Sequence, residues 1–427
     1  MESTPRLYDT LVNVFSQHAN WVDRRHPKTL AWMMVGLMQA SVVSLTAWAP
    51  YVHSRAVYAQ RLVRRFDRWL QNQRIEVHQV YGPLLQNALA EWGPHALYLA
   101  LDTSTWWERY CLVRSALIDR GRAIPLVWKV RQHPSSRVAS AVSAELLDTA
   151  AALVPHQCRV IFLADRGFAD THRMGHRRRV DWHGRIRLKS RCWIYRGGHR
   201  PCKAHRLALA GGDARFWQHV YLTKVHYGPV HLAFARCKDS KEDGFVVSEE
   251  PTDMQPFEEY RLRFDIEEHC LDDKSNGFQL ESSLIRSAKA LERRCLVLAL
   301  TTLSLVSQGP EVVKQGQRRW VDPHWFRGQS SLKIGWKGGE RALSRGDDLI
   351  TRLHLSAEAD PEPAMASRRQ AQKRSRRISA LECHEAIASS SRVLSVNQAP
   401  GVVPSRQHVA AFALTCQLPV WYGGPGF

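Results

Sequence analysis

Two short, dense apolar runs, Ala96 to Leu101 and Val160 to Ala164, each end on an aspartate, Asp102 and Asp165. Runs of this length and density are buried-type strands, and little else can be made of them. Between them, Cys111 to Ile118 and Ile124 to Val130 flank the turn Asp119-Arg120-Gly121-Arg122, which predicts a three-strand meander, and Val138 to Val154 predicts a helix. Strands, a helix and a further strand specify an α/β sheet. Open α/β sheets place their chemistry where the strands end, and both aspartates stand there.

The flanking regions differ. The first 90 or so residues read as helical. At about 100° per residue, Arg61, Arg64, Arg65 and Arg68 fall within one sector of about 100°, opposite Leu62, Val63, Phe66, Trp69 and Leu70. Such a face is either a solvated surface or a phosphate-tracking one. Between Arg173 and Arg206 twelve Lys and Arg, Arg177, Arg178 and Arg179 among them, stand against the single acid Asp181, in a strand-rich stretch of about 170 to 250. Phe278 to Leu305 predicts a long buried helix, 309 to 355 is mixed, and Ser367 to Arg377 carries six basic residues in a tail that reads as disordered.

The whole chain of 427 residues carries a formal charge of +20, which attracts polyanions or an anionic membrane surface. Its 44% hydrophobic content excludes wholesale disorder. Nine scattered cysteines form no CxxC pair, so neither a zinc ribbon nor a redox motif is expected, and reduced cytoplasmic thiols are the default. The start, MESTPRLYDT, has no signal-peptide pattern. Residues 29 to 49 are uncharged over a bilayer-spanning length, yet Gln39, Ser41, Ser44 and Thr46 interrupt them, and a buried helix pair accounts for them better than a membrane span.

A helix starting near Phe257 places Tyr260, Arg263, Glu267 and Lys274 within about 60° of one another, while Asp272, Asp273, Ser275, Asn276 and Gly277 suggest a break near Lys274. Glu267 thus has groups beside it suited to holding phosphates, and a third carboxylate beyond Asp102 and Asp165 suits metal-assisted phosphoryl transfer. A charged stripe can equally be a solvated face.

Tyr260-x2-Arg263-x3-Glu267-x6-Lys274 resembles, in every spacing, the YREK signature of one large group of DDE transposases from bacterial insertion sequences. Leu101-Asp102-Thr103-Ser104 and Ala164-Asp165-Arg166-Gly167-Phe168 resemble its two Asp motifs, and DIEEHCLDDKSNGFQLESS the surroundings of its Glu. The resemblance covers roughly residues 1 to 350. It implies a helical DNA-binding domain over 1–90, an RNase H-like catalytic domain over 91–310 with a basic β insertion at about 170–250, and a part at 311–355 that could serve dimerisation; residues 356–427 have no counterpart in it and read, from composition, as a disordered basic tail. It further implies Asp102, Asp165 and Glu267 as ligands of two Mg²⁺ ions, for which Mn²⁺ can substitute. Tyr260, Arg263 and Lys274 would contact DNA, with Arg61, Arg64, Arg65, Arg68, Arg177, Arg178 and Arg179 on the path. Trp193 and Trp217 are either base-stacking or core residues. A homodimer acting on terminal inverted repeats and target DNA in the cytoplasm, without a membrane, completes the expectation. The alternatives are a catalytically inactive copy that only binds DNA, and a membrane-associated basic protein built on residues 29 to 49.

Overall fold

The computed structural model describes residues 3–18, 21–207, 209–236, 243–276, 278–282 and 287–364. The chain forms two compact units, one joining the residues up to His183 with those from Leu262 to 364, the other formed by Gly184–Arg261.

The first unit opens with helices only: α1 (Ser3–His18), α2 (Arg25–Ala40), α3 (Leu45–Trp48), α4 (Ala59–Gln71) and α5 (Val77–Ala88). The uncharged stretch at 29 to 49 is thus two helices, bent by 94° at a short break. Ser41 closes α2 in the left-handed conformation, with φ of 55°. Gly36 permits the bend, because a Cβ there would meet Trp48 Cβ at 2.4 Å. On α4, Leu62, Phe66, Trp69 and Leu70 are buried, as the periodicity predicts, and Val63 is half-buried.

Strands β1 (Ala96–Trp106), β2 (Tyr110–Asp119) and β3 (Arg122–Gln132) form the expected antiparallel meander, with the β1–β2 pair in register through Asp102↔Arg114. Helix α6 (Ser140–Leu153) leads to β4 (Arg159–Ala164), which pairs with β1 in parallel, Leu101 facing Ala164. The strand order is β3-β2-β1-β4. Helix α7 (Thr171–Arg179) follows, its Asp170 cap accepting from Arg173 N.

The second unit is an antiparallel sheet of order β5-β10-β9-β8-β6-β7, formed by β5 (His183–Arg187), β6 (Trp193–Tyr195), β7 (Cys202–Lys203), β8 (Ala214–Leu222), β9 (Tyr227–Ala235) and β10 (Gly244–Ser248). Helix α8 (Gln255–Arg261) joins it through the buried Arg185, which pairs with Glu259 and, at 2.5 Å, with Glu250.

The chain returns to the first unit with α9 (Phe264–Leu271), a π-helical turn (Asp272–Asn276), α10 (Ala288–Lys314), α11 (Arg318–Val321) and α12 (Ser331–Arg345). Helix α10 starts ten residues later than Phe278, where Ser287 caps it by accepting from Ala290 N. It is long and apolar enough to cross a membrane, but 78% of its apolar window is buried inside the protein. Its buried face receives α12 at very close range, since a Cβ on Gly335 would meet Leu305 O at 1.8 Å and one on Gly309 would meet Ser331 O at 2.3 Å.

Residues 356–364 depart from the expected disorder. Arg318 holds Glu362 at 2.5 Å, and Arg327 holds both oxygens of Asp360, at 2.8 and 2.7 Å. Upstream, Leu355 N donates to Ala88 O at 2.9 Å. The rest of the tail, including Ser367 to Arg377, lies outside the described residues.

Candidate active site

Side chains alternate across a strand, so parity decides which face each aspartate takes. Ala100 on β1 and Leu163 on β4 belong to one buried cluster with Ala116, Ile118, Ala123, Ile161 and Ile266. Asp102 and Asp165 lie two residues beyond Ala100 and Leu163, and Asp165 keeps extended backbone, so both carboxylates fall on that face. The sequence expects the strand to end at Asp102, but β1 runs on to Trp106, held by its ladder with β2; Asp102 therefore stands within β1, where the parallel pairing with β4 stops, beside Asp165. Ile266 of α9 packs onto the same face, which brings its neighbour Glu267 toward Asp102.

Burial pushes the Asp102 carboxyl up to about 6; Arg263 and the Thr103 N–H, which donates to Oδ1 at 2.8 Å, oppose this, and Glu267 and Asp165 add to it. Asp102 therefore senses both other carboxylates and the arginine. Arg263, itself buried, donates to Glu267 Oε1 at 2.5 Å and lies over the Phe264 ring at 4.8 Å. Glu267 is half-exposed.

The sequence places Tyr260, Arg263, Glu267 and Lys274 on one continuous helix face; the structure corrects this. The helix breaks at Leu262 and Arg263, where Asp265 N and Ile266 N donate to Leu262 O and Arg263 O, only three residues back, at 3.2 Å each. Tyr260 is buried on α8, in the second unit. Lys274 sits in the π-helical turn, half-buried.

That turn is pinned by two acids that sequence reasoning used only as a sign of a helix break. Asp273, fully buried, meets Arg114 of β2 at 2.7 Å, and Asp272 meets Arg122 of β3 at 2.5 Å. An arginine inside the apolar run CLVRSALI was the available signal. Burial pushes His269 down to about 4, so it stands neutral beside Asp273, and burial pushes the Cys270 and Cys295 thiols up to about 12. These thiols stay protonated and are poor nucleophiles.

Among the described residues, no group of three or more His, Cys, Asp or Glu side chains already stands as a metal-holding cluster. The donors nonetheless suit a hard divalent cation: three carboxylates supply oxygen ligands only, and a cation would offset the burial, and the lesser carboxylate repulsion, that raise Asp102.

The expected DNA-binding arginines divide. Arg61, Arg64 and Arg68 are exposed on α4, whereas Arg65 is partly buried and donates to Thr29 Oγ1 at 3.1 Å. On α7, Arg178 and Arg179 are exposed. Arg177 is not a surface residue: it is 1% exposed and donates to Trp182 O at 3.0 Å, so its charge serves the fold. Trp193 and Trp217 are half-buried rather than core, with Lys203 over the first at 5.5 Å and Arg196 over the second at 5.0 Å.

No family model matches the chain, and no curated protein matches it. Among solved structures it is similar to a piggyBac transposase in a synaptic complex with hairpin DNA, at 10% identity and a TM-score of 0.36, over 88% of this chain and 87% of that one.

Proposed function

We propose that this chain is a DDE transposase that cleaves and joins DNA at the ends of an insertion sequence, with β1 to β4 as an RNase H-like core. The observation that carries the reading is the adjacency of Asp102, inside β1 where its pairing with β4 stops, and Asp165, just beyond β4, with the helix bearing Glu267 laid on the same face. The order β3-β2-β1-β4, with only β1 and β4 parallel, supports the core assignment.

In this reading Asp102, Asp165 and Glu267 hold two Mg²⁺ ions, or Mn²⁺ in their place. Ions bound there would supply activation of the attacking hydroxyl and charge stabilisation of the leaving oxygen. The chain's own groups do the positioning. Arg263 holds the Glu267 carboxylate in place and, with Lys274, offers cationic charge to a phosphodiester beside it. Tyr260 serves DNA contact through the YREK resemblance alone. Arg61, Arg64 and Arg68 on α4, with Arg178 and Arg179, supply sequence-independent phosphate contacts. The protein acts in the cytoplasm as a homodimer on paired inverted repeats.

Cleavage of a duplex carrying the element's own ends, in Mg²⁺ or Mn²⁺, tests this. Glu267→Gln should abolish cutting and retain end binding; undiminished cutting by that variant overturns the assignment. A second reading, DNA binding without catalysis, draws on the exposed Arg61, Arg64 and Arg68 of α4, which need no metal. It predicts end binding by the wild type with no cutting in either metal.

A further inference from the structure

Three large aromatics of the first unit face solvent within seven residues: Trp320 is 74% exposed, Trp325 72% and Phe326 54%. Tryptophans are seldom so exposed without a task. The loop that carries them is rigidly built. Asp322, wholly buried, accepts from the backbone N–H groups of His324, Gly328 and Gln329 at 3.2, 2.8 and 3.2 Å. Arg318, also buried, donates to the carbonyls of Asp322, His324 and Trp325 at 3.4, 2.6 and 3.0 Å. Arg327 ties the far side to Ser331 Oγ at 2.7 Å. Gly328 lies against the His324 ring, which a Cβ there would meet at 2.9 Å and have to displace. Buried charge is thus spent on holding apolar rings out in water.

Cations flank those rings: Arg319 lies over Trp325 at 4.5 Å, and Arg341, which also pairs with Asp347 at 3.4 Å, lies over Trp320 at 5.4 Å. We infer that Trp320, Trp325 and Phe326 form a stacking platform for the unpaired bases of single-stranded nucleic acid, with Arg319 and Arg341 beside its phosphates. Charge selects this occupant. The chain's own segment Ser367 to Arg377 carries six basic residues and no acid and would be repelled, and a second copy would bring the same cations against themselves. A single strand offers both complements, anionic phosphates and apolar faces that a duplex hides. The inference does not need the metal site or cleavage.

The test is binding of full-length protein, in chelator, to a labelled single strand of mixed sequence and to the matching duplex. Trp320→Ala/Trp325→Ala should weaken single-strand binding tenfold or more, the scale of base–aromatic stacking, with less than threefold effect on duplex and an unchanged salt slope. Trp325→Phe should keep most of the affinity. Crosslinking of a 5-iodouracil-substituted strand to the wild type should map to residues 320–326, which serves if the alanine variant fails to fold. The inference is overturned by crosslinks that map elsewhere, by an equal loss on both substrates, by a loss below threefold, or by a variant whose main change is from dimer to monomer. It is also overturned if removal of residues 365–427 is needed to expose the platform. None of these results depends on whether Glu267 supports cutting.

Discussion

The Arg114 guanidinium of β2 meets the Asp273 carboxylate at 2.7 Å with both side chains essentially out of solvent, at 2% and 0% exposure. Arg114 is also the cross-strand partner of Asp102. One arginine therefore ties the strand pair that carries the first aspartate to the turn that follows Glu267.

Removing one partner of such a pair strands a buried charge. Arg114→Met should destabilise the protein by about 3–5 kcal/mol, and Asp273→Leu by a similar amount, while the double variant should recover much of the loss. A double-mutant cycle by chemical denaturation measures this; strictly additive losses would show that the two groups do not interact.

The α10–α12 crossing depends on missing side chains. Gly335→Ala should cost about 3 kcal/mol or more, because the 1.8 Å approach to Leu305 O leaves no room for a methyl and the obstacle is backbone. Gly339→Ala, four residues on in the same helix, meets nothing within 4 Å and should stabilise by about 0.5–1 kcal/mol. Thermal melts of the two variants should move in opposite directions.

His269 gives stability a defined pH dependence. Its folded value of about 4 lies below the unfolded value of about 6.5, so the unfolded chain binds more protons between them. The contribution is fully present above about 6.5 and is lost as pH falls toward 4, by about 3 kcal/mol. Unfolding free energies of wild type and His269→Gln, compared at pH 7 and pH 4.5, should differ less at the acidic end; parallel pH profiles would remove His269 from the account.

If α4 tracks phosphates, each of Arg61→Gln, Arg64→Gln and Arg68→Gln should reduce the slope of log K against log salt for duplex binding by about 0.9. Arg65→Gln should reduce it less, because Arg65 is partly buried and committed to Thr29. Equal effects at all four positions would count against the exposed-face assignment.

Local signals carried the strands and both aspartates, because run length, alternation and the Asp119-Arg120-Gly121-Arg122 turn are properties of neighbours in sequence. The convergence of Asp102 and Asp165 needed only strand parity. The break at Leu262 and Arg263 was not legible, since the segments on either side belong to different compact units and the second is anchored by Arg114 and Arg122 from remote strands. Arg177 was misread for a related reason: composition counts a charge but does not reveal that a backbone carbonyl awaits it inside. Residues 309 to 355 read as mixed because buried arginines organise the loop between α11 and α12, and because small residues, Gly335, Gly338 and Ala342, make up much of the buried face of α12.

The first unit is discontinuous in the chain: Asp102 and Asp165 precede Gly184–Arg261, and Glu267 follows it. A ribosome therefore delivers the two aspartates, then an entire second unit, and only afterwards the glutamate with its α9 helix and the α10 helix that packs behind β3. A nascent chain cannot assemble all three carboxylates until synthesis has passed the insertion. A message cut short before codon 267 yields a chain without Glu267, α9 and α10, which completes neither the set of three carboxylates nor the core of the first unit.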